Sequence, residues 1–328
     1  SSQSSPARTA TLPADDWLDW PDLIDAWLGA WAARLPAEAD IRRAAAIEDY
    51  RRGRYQQAAT ALDRLLTRNP DDIDLLIAAA AAQCKLGQYE DALPLLRRAL
   101  ELDPARTPAR YQYAVALVRL DRRAEAATAF EKLLEASPGH RPARFALAIL
   151  LQADGRLPEA LAQWRKTTAG LSSAPPATQP TPAVAPPPGD LAAPAVAEAF
   201  FHRGETALAL DQYAEAEECF QTVVARRPDD ARAWCNLGIA RAALEREPEA
   251  ISALHEALRR KPDLVPAINQ LAFVYARRYR STRDPADQER LVDLCQRSLA
   301  VRSHQPDIAA LRNAAIEAGW TTSREMSR

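Results

Sequence analysis

The chain has 328 residues, 48% hydrophobic and 26% charged, with 42 Lys and Arg against 44 Asp and Glu. Acidic and basic residues are mixed throughout, which argues against the concentrated basic face of a nucleic-acid-binding protein. No run of 18 or more apolar residues is present to span a membrane.

Residues 1–16 read as a disordered N-terminal tether. The chain starts at Ser1 without a methionine, so the tether is expected to follow something removed, either an artificial boundary or a signal or anchor. A periplasmic or envelope location is therefore favoured over the cytoplasm. Residues 17–38 form a Trp-rich amphipathic helix with Pro21 as a plausible first helical position. Trp17, Trp20, Trp27 and Trp31 are four of the chain's seven tryptophans. Trp20, Ile24, Trp27, Trp31 and Leu35 share one face at three- and four-residue steps. Asp22 and Asp25 suit the positive end of the helix dipole. The stripe reads as a cap buried on the first repeat. It also reads as a docking helix (Trp17, Trp20, Ile24, Trp27, Trp31) for a partner, a membrane interface or the protein's own groove. Few Lys or Arg on its polar face weakens a membrane role.

A 34-residue repeat follows. Pro70, Pro104 and Pro138 are 34 apart, as are Pro228 and Pro262. Twelve residues before each stands Ala58, Ala92, Ala126, Ala216 or Ala250, and twelve before those Ala46, Ala80, Ala114, Gly204 or Gly238. Such a period marks a solenoid. Residues 231–263 show the unit most clearly: helix A, a polar break at Glu245–Pro248, and helix B closed by a proline that cannot continue it. Gly238 and Ala250 are the small residues that let the two antiparallel helices approach.

Four units occupy 39–171, with Ser172 where the fourth closing proline would stand. Residues 172–195 are a Pro/Ala-rich linker without apolar periodicity, expected to be extended or disordered. Thr167 and Thr168 replace the usual small-Leu pair at the end of unit four, which favours two blocks hinged by the linker. Three more units span 196–305. In the last, helix B is displaced by about seven residues through Arg277–Asp287, an offset read directly from the repeat. The basic run Arg277, Arg278, Arg280 and Arg283 reads as a solvated turn there. Residues 306–320 are a capping helix and 321–328 a frayed tail.

The pattern resembles the tetratricopeptide repeat (TPR) family over roughly residues 39 to 305. The matching residues include Trp234, Leu237-Gly238, Gly87 with Tyr89, Gly53 with Tyr55, Asp211 with Tyr213, Phe130, Phe220, Ala99-Leu100 and Ala257-Leu258. The resemblance implies an all-α solenoid, a right-handed superhelix of about seven antiparallel helix pairs plus terminal capping helices. It also implies that ligands lie on a concave surface lined by helix A, at the second, fifth, ninth, twelfth and thirteenth positions of each unit. Those positions give a candidate groove of Arg43, Tyr50, Ile77, Lys85, Tyr111, Val115, Arg119, Phe145, Ile149, Phe201, Glu205, Arg232 and Ile239. They are mostly apolar, so the Lys/Asn/Arg clamp by which some members grip acidic chaperone tails is not evident. An amphipathic helix or extended apolar segment fits better.

No phosphate loop, HExxH or nucleophile elbow is present, and no cofactor or metal is expected. His140, His202, His255 and His304 are isolated. Cys84, Cys219, Cys235 and Cys295 fit no zinc spacing and read as small buried hydrophobes, with a Cys219–Cys235 bridge conceivable. The function that follows is a non-catalytic scaffold or adaptor for protein partners in a multiprotein, possibly membrane-associated assembly. The alternatives are a regulatory or substrate-recruiting subunit of an enzyme on another chain, and a self-associating structural protein.

Overall fold

The computed structural model describes residues 23–32, 41–171 and 193–325, which form sixteen helices. Helix α1 (Leu23–Ala32) precedes four antiparallel pairs: α2 (Ile41–Arg51) with α3 (Tyr55–Leu66), α4 (Ile73–Lys85) with α5 (Tyr89–Leu102), α6 (Thr107–Arg119) with α7 (Arg123–Ala136), and α8 (Arg141–Ala153) with α9 (Leu157–Thr168). Three further pairs follow: α10 (Ala193–Ala209) with α11 (Tyr213–Arg226), α12 (Ala231–Ala243) with α13 (Glu247–Arg260), and α14 (Val265–Thr282) with α15 (Pro285–Val301). Helix α16 (Pro306–Glu325) packs on α15. The described residues fall into two compact blocks, one carrying α1–α9 and the other running from Ala197 in α10 through α16. The tether, Trp17, Trp20, the side chain of Ile24, nearly all of the linker and the last three residues lie outside what the structure describes.

The 34-residue period is set by the backbone as well as by packing. Between the two helices of each pair stands one residue with left-handed φ: Gly53, Gly87, Asp121, Gly155, Asp211, Glu245 and Arg283. This conformation ends a helix and reverses the chain, and glycine adopts it without the steric penalty of a Cβ. Nothing lies within 4 Å of a Cβ built on Gly87, so only the backbone term separates glycine from alanine there. Gly87→Ala is therefore expected to lower stability by about 1 kcal/mol, and Glu245→Gly (φ 62) to raise it by up to about 1 kcal/mol. Urea titrations of the two variants check the opposite signs.

Within each pair the small residues do steric work. A Cβ on Gly238 would stand 2.6 Å from Leu254 Cγ and 3.3 Å from the Ala250 carbonyl oxygen, and one on Gly204 would meet the Phe220 ring at 2.8 Å. Ala46, Ala58, Ala80, Ala92, Ala114 and Ala126 are all fully buried. Close approach of helix backbones needs such residues at the crossing.

The structure departs from the sequence-based expectation at four places. Helix α10 begins at Ala193, inside the assigned linker, because Pro194 is tolerated in a first turn. Helix α16 runs to Glu325, beyond the assigned end at 320. The extra residues of the last pair lengthen its helices to 18 and 17 residues and form no long loop. The basic run lies at the end of α14, and much of it is engaged. Arg277 pairs with Glu247 at 2.7 Å, Arg278 with the buried Asp287, and Arg283 sits 5.7 Å over the Tyr279 ring. Thr167 and Thr168 are buried, and their hydroxyls donate to the carbonyls of Gln163 and Trp164 at 2.8 and 2.9 Å, which satisfies them within α9.

Candidate functional site: the inner faces of the two blocks

The first helices of successive pairs approach one another more closely than the second helices do: α4 touches α6, and α12 touches α14. The first helices therefore line the inside of each block's curvature. The ninth position keeps some surface where it is Val115 in α6, Glu205 in α10, Ile239 in α12 and Phe273 in α14, whereas Ile47, Ala81 and Ile149 hold it buried in α2, α4 and α8. Val115, Glu205 and Ile239 are half-buried and Phe273 is 44% exposed.

Several assigned groove residues are core residues instead. Ile77, Phe145, Ile149, Phe201 and Tyr50 are 0–3% exposed and offer no surface to a ligand. For Ile77, Phe145 and Phe201 the reason is the fifth position, which points between the helices of its own pair; Ile149 is a buried ninth-position residue, and Tyr50, at the twelfth, belongs to the apolar cluster that holds Leu28 and Trp31. Phe145 meets Trp164 edge-on at 4.8 Å, Phe201 meets Phe220 at 5.7 Å, and Tyr111 meets Phe130 at 6.0 Å. The second ring follows the first at the same sequence interval in all three units, a regularity that marks these aromatics as partners within a pair and not as groove lining. Tyr111, half-buried, also lies 5.2 Å from the His140 ring. Tyr50 meets Tyr55 edge-on at 5.2 Å.

Arg43 is likewise not a free groove cation. Its guanidinium donates to Asp72 Oδ2 at 2.7 Å. Asp72 is the N-cap of α4, where its other oxygen accepts from the amides of Asp74 and Leu75 at 3.1 Å. One carboxylate thus ends a helix and ties the first pair to the second. Lys85 and Arg119 close α4 and α6 at equivalent positions and are half-buried.

The first block's inner face carries α1. This helix lies against α2 and α6, both first helices of pairs. Leu28 and Trp31 are buried in one apolar cluster with Ile47, Tyr50 and Leu62. Trp27 stacks on Trp31 (5.7 Å, 11°) and packs against both that cluster and the one containing Leu76 and Ile77. The Arg106 guanidinium sits 6.0 Å over the Trp27 ring and pairs with Asp74.

The second block's inner face is charged at one end. His202 is buried between Glu198 (3.4 Å) and Glu205 (3.5 Å) on α10. Burial lowers the imidazole's pKa, but the two carboxylates outweigh it and hold the value above the ordinary one. Glu198, hydrogen-bonded by His202 and Arg227, is held down to about 2. Arg232 is exposed, lies 4.6 Å over the Phe201 ring and pairs with Glu205 at 3.3 Å. Beyond this cluster, Ile239 packs on the core, and Phe273 leaves its ring open to solvent. Phe273 is absent from the sequence-derived groove, although it stands one full period after Ile239.

Among the described residues no disulfide joins the cysteines, and Cys219 and Cys235 are both buried. Burial pushes the Cys235 thiol up to about 12, so it packs as an apolar group.

A family model described as a tetratricopeptide repeat matches residues 111–171 and 192–265. A second, for anaphase-promoting complex subunit 3, matches residues 51–133. The chain belongs to the tetratricopeptide repeat family. Solved structures of the same fold include YrrB, described as a TPR protein with an unusual peptide-binding site (23% identity, 64% of this chain and 97% of that chain, TM-score 0.53). The C-terminal part of a TPR repeat-containing protein from Cytophaga hutchinsonii aligns at 13% identity over 81% of this chain and 97% of that one, with a TM-score of 0.56. PilF of Pseudomonas aeruginosa aligns at 14% over 74% and 97%, with a TM-score of 0.51. No curated protein sequence matches the chain. TPR proteins generally mediate protein–protein interactions, and the TPR fold is typically a non-catalytic scaffold. No helix among the described residues is long and apolar enough to cross a membrane.

Proposed function

We propose that this TPR protein is a non-catalytic scaffold that holds a helical or extended apolar segment of a protein partner on its inner faces, within a multiprotein assembly. The observation that carries this reading is the open inner face of the second block. Glu205, Ile239 and Phe273 recur at 34-residue steps on α10, α12 and α14, and Phe273 keeps 44% of its surface exposed. An exposed ring beside a half-buried isoleucine supplies apolar area, and the Glu205–Arg232 pair supplies a charged rim. An apolar centre with a polar border is how interfaces combine affinity with register. The peptide-binding site described for YrrB, on the same fold, is consistent with this reading.

The test is selection of random 20-residue peptides displayed against the full-length protein. Amphipathic sequences with aromatic anchors are expected to be enriched. Phe273→Asp is expected to weaken those that bind the second block at least tenfold, about 1.4 kcal/mol, with helicity by circular dichroism unchanged. Enriched peptides that bind Phe273→Asp and Ile239→Asp as tightly as the unaltered protein would contradict the reading.

A further inference from the structure

The first block's inner face is already occupied, and the geometry points to the class of partner it accepts: an acidic amphipathic helix with two aromatic side chains four residues apart, for which α1 is the chain's own stand-in. This inference rests on the inner-face reading above and extends it to the first block.

The position of α1 carries the argument. A helix that only closed the open end of the repeat array would cover the first pair. Helix α1 instead touches α2 and also α6, which belongs to the third pair, so it crosses the inner face. On the α2 side, Gly29 faces the end of the Arg51 side chain, 2.8 Å from where a Cβ would stand. Its anchors are chemically specific. Trp27 and Trp31, one turn apart, stack on each other, Trp31 is 5% exposed and Leu28 only 1%. Stacked indoles supply large rigid apolar area at small entropic cost, the usual character of anchor residues.

Charge adds to the match. Asp15, Asp16, Asp19, Asp22 and Asp25 lie in and just before α1, and no Lys or Arg occurs between Arg8 and Arg34. One cation meets the seat: the Arg106 guanidinium lies over the Trp27 ring while pairing with Asp74. The stand-in segment is thus acidic and aromatic, and one of its tryptophans meets a guanidinium.

Occupancy has a consequence for affinity. Only residues 33–40 separate α1 from α2, so α1 competes at an effective concentration on the order of millimolar. An incoming helix binds with its intrinsic affinity reduced by the fraction of molecules whose face is open. Only a segment sharing α1's acid-and-tryptophan pattern competes well.

The test uses the full chain and a labelled synthetic peptide with the sequence of residues 15–35. Trp27→Ala/Trp31→Ala protein is expected to bind this peptide at least tenfold more tightly than the unaltered protein. Adding Val115→Asp to that variant should abolish the gain. Equal affinity for the two proteins, or no binding to either, overturns the inference. A measurement that needs no variant accompanies it: hydrogen exchange of amides 23–32 in the unaltered protein should speed up at saturating peptide. Unchanged exchange with the peptide bound overturns the inference as well. None of these outcomes bears on Phe273, so failure here is separable from failure of the proposed function, which the peptide selection on the second block decides.

Discussion

Trp164→Ala is expected to lower the stability of the first block by about 3–5 kcal/mol, the range for deleting a fully buried aromatic side chain. Trp164 is among the largest fully buried side chains, at 0% exposure. Its ring holds the last pair of the block together from α9, with Phe145 of α8 edge-on at 4.8 Å and 83°. Its indole N–H donates to Gln152 Oε1 at 3.3 Å, so truncation also strips a partner from that amide. The corresponding position in five of the other six units is filled by Leu62, Leu96, Phe130, Phe220 or Leu254, all buried as well. In a solenoid each repeat depends on its nearest neighbours, so the loss should be local. Hydrogen exchange should show α8 and α9 opening first, with α12 and α13 unchanged. Uniform loss of protection through both blocks would contradict this account. Trp164→Phe retains a ring at the contact and should cost much less.

Acidification from pH 7 to pH 5 is expected to act on the two blocks with opposite sign. In the first block, His140 is the N-cap of α8, and its Nδ1 accepts from the Ala143 amide at 3.1 Å. A protonated imidazole cannot accept there. Burial drives the His140 pKa from 6.5 down to about 4, and Arg144 pushes it the same way. Below pH 6.5 the unfolded chain therefore takes up a proton that the folded block refuses, and stability falls. At 1.36 kcal/mol per pH unit the loss is about 2 kcal/mol by pH 5 and about 3 kcal/mol by pH 4. In the second block, the raised pKa of His202 has the reverse effect. Its contribution is fully present below the ordinary histidine value and is lost as pH rises through the raised one. Glu198, held down to about 2 from an ordinary 4.5, keeps its contribution until the pH falls below that ordinary value. Urea unfolding at pH 7 and pH 5, resolved by block through hydrogen exchange, should show the first block weakened and the second not. His140→Asp restores the carboxylate cap found at Asp72 and Asp230 and should flatten the first block's response. A wild-type first block insensitive to pH over this range would contradict the assignment.

The repeat was legible because its determinants are local and strictly spaced. Pro70, Ala58 and Ala46 recur once per period because each pair needs a stop, a crossing and a crossing partner at fixed places. Gly53, Gly87 and Gly155 announced their turns. Asp121, Glu245 and Arg283 did not, because the backbone imposes left-handed φ on residues that carry no glycine signal. The extension of α14 and α15 read as an interruption, since added helical turns shift the register while preserving the apolar stripe. The groove was less legible. Helical periodicity identifies a face but not which neighbour covers it, so Ile77, Phe145 and Phe201 looked like lining when each belongs to a contact within the core. Arg43 looked like a groove cation because Asp72, its partner, is distant in the chain and meets it only across two pairs. The stripe of Trp27 and Trp31 was visible, whereas its seat across α2 and α6 depends on contacts between distant segments.

Site-specific photocrosslinking in cells that make the protein naturally tests the central claim most directly. A crosslinking residue would be placed singly at Val115, Ile239 and Phe273 on the inner faces, and at the exposed Arg97, Arg98 and Glu218 on second helices. The account predicts that partner protein is captured from Ile239 and Phe273. From Val115 it predicts a crosslink within the chain to α1 until a competing helix is supplied. Capture of partner from Arg97, Arg98 or Glu218 with none from Ile239 or Phe273 would contradict it.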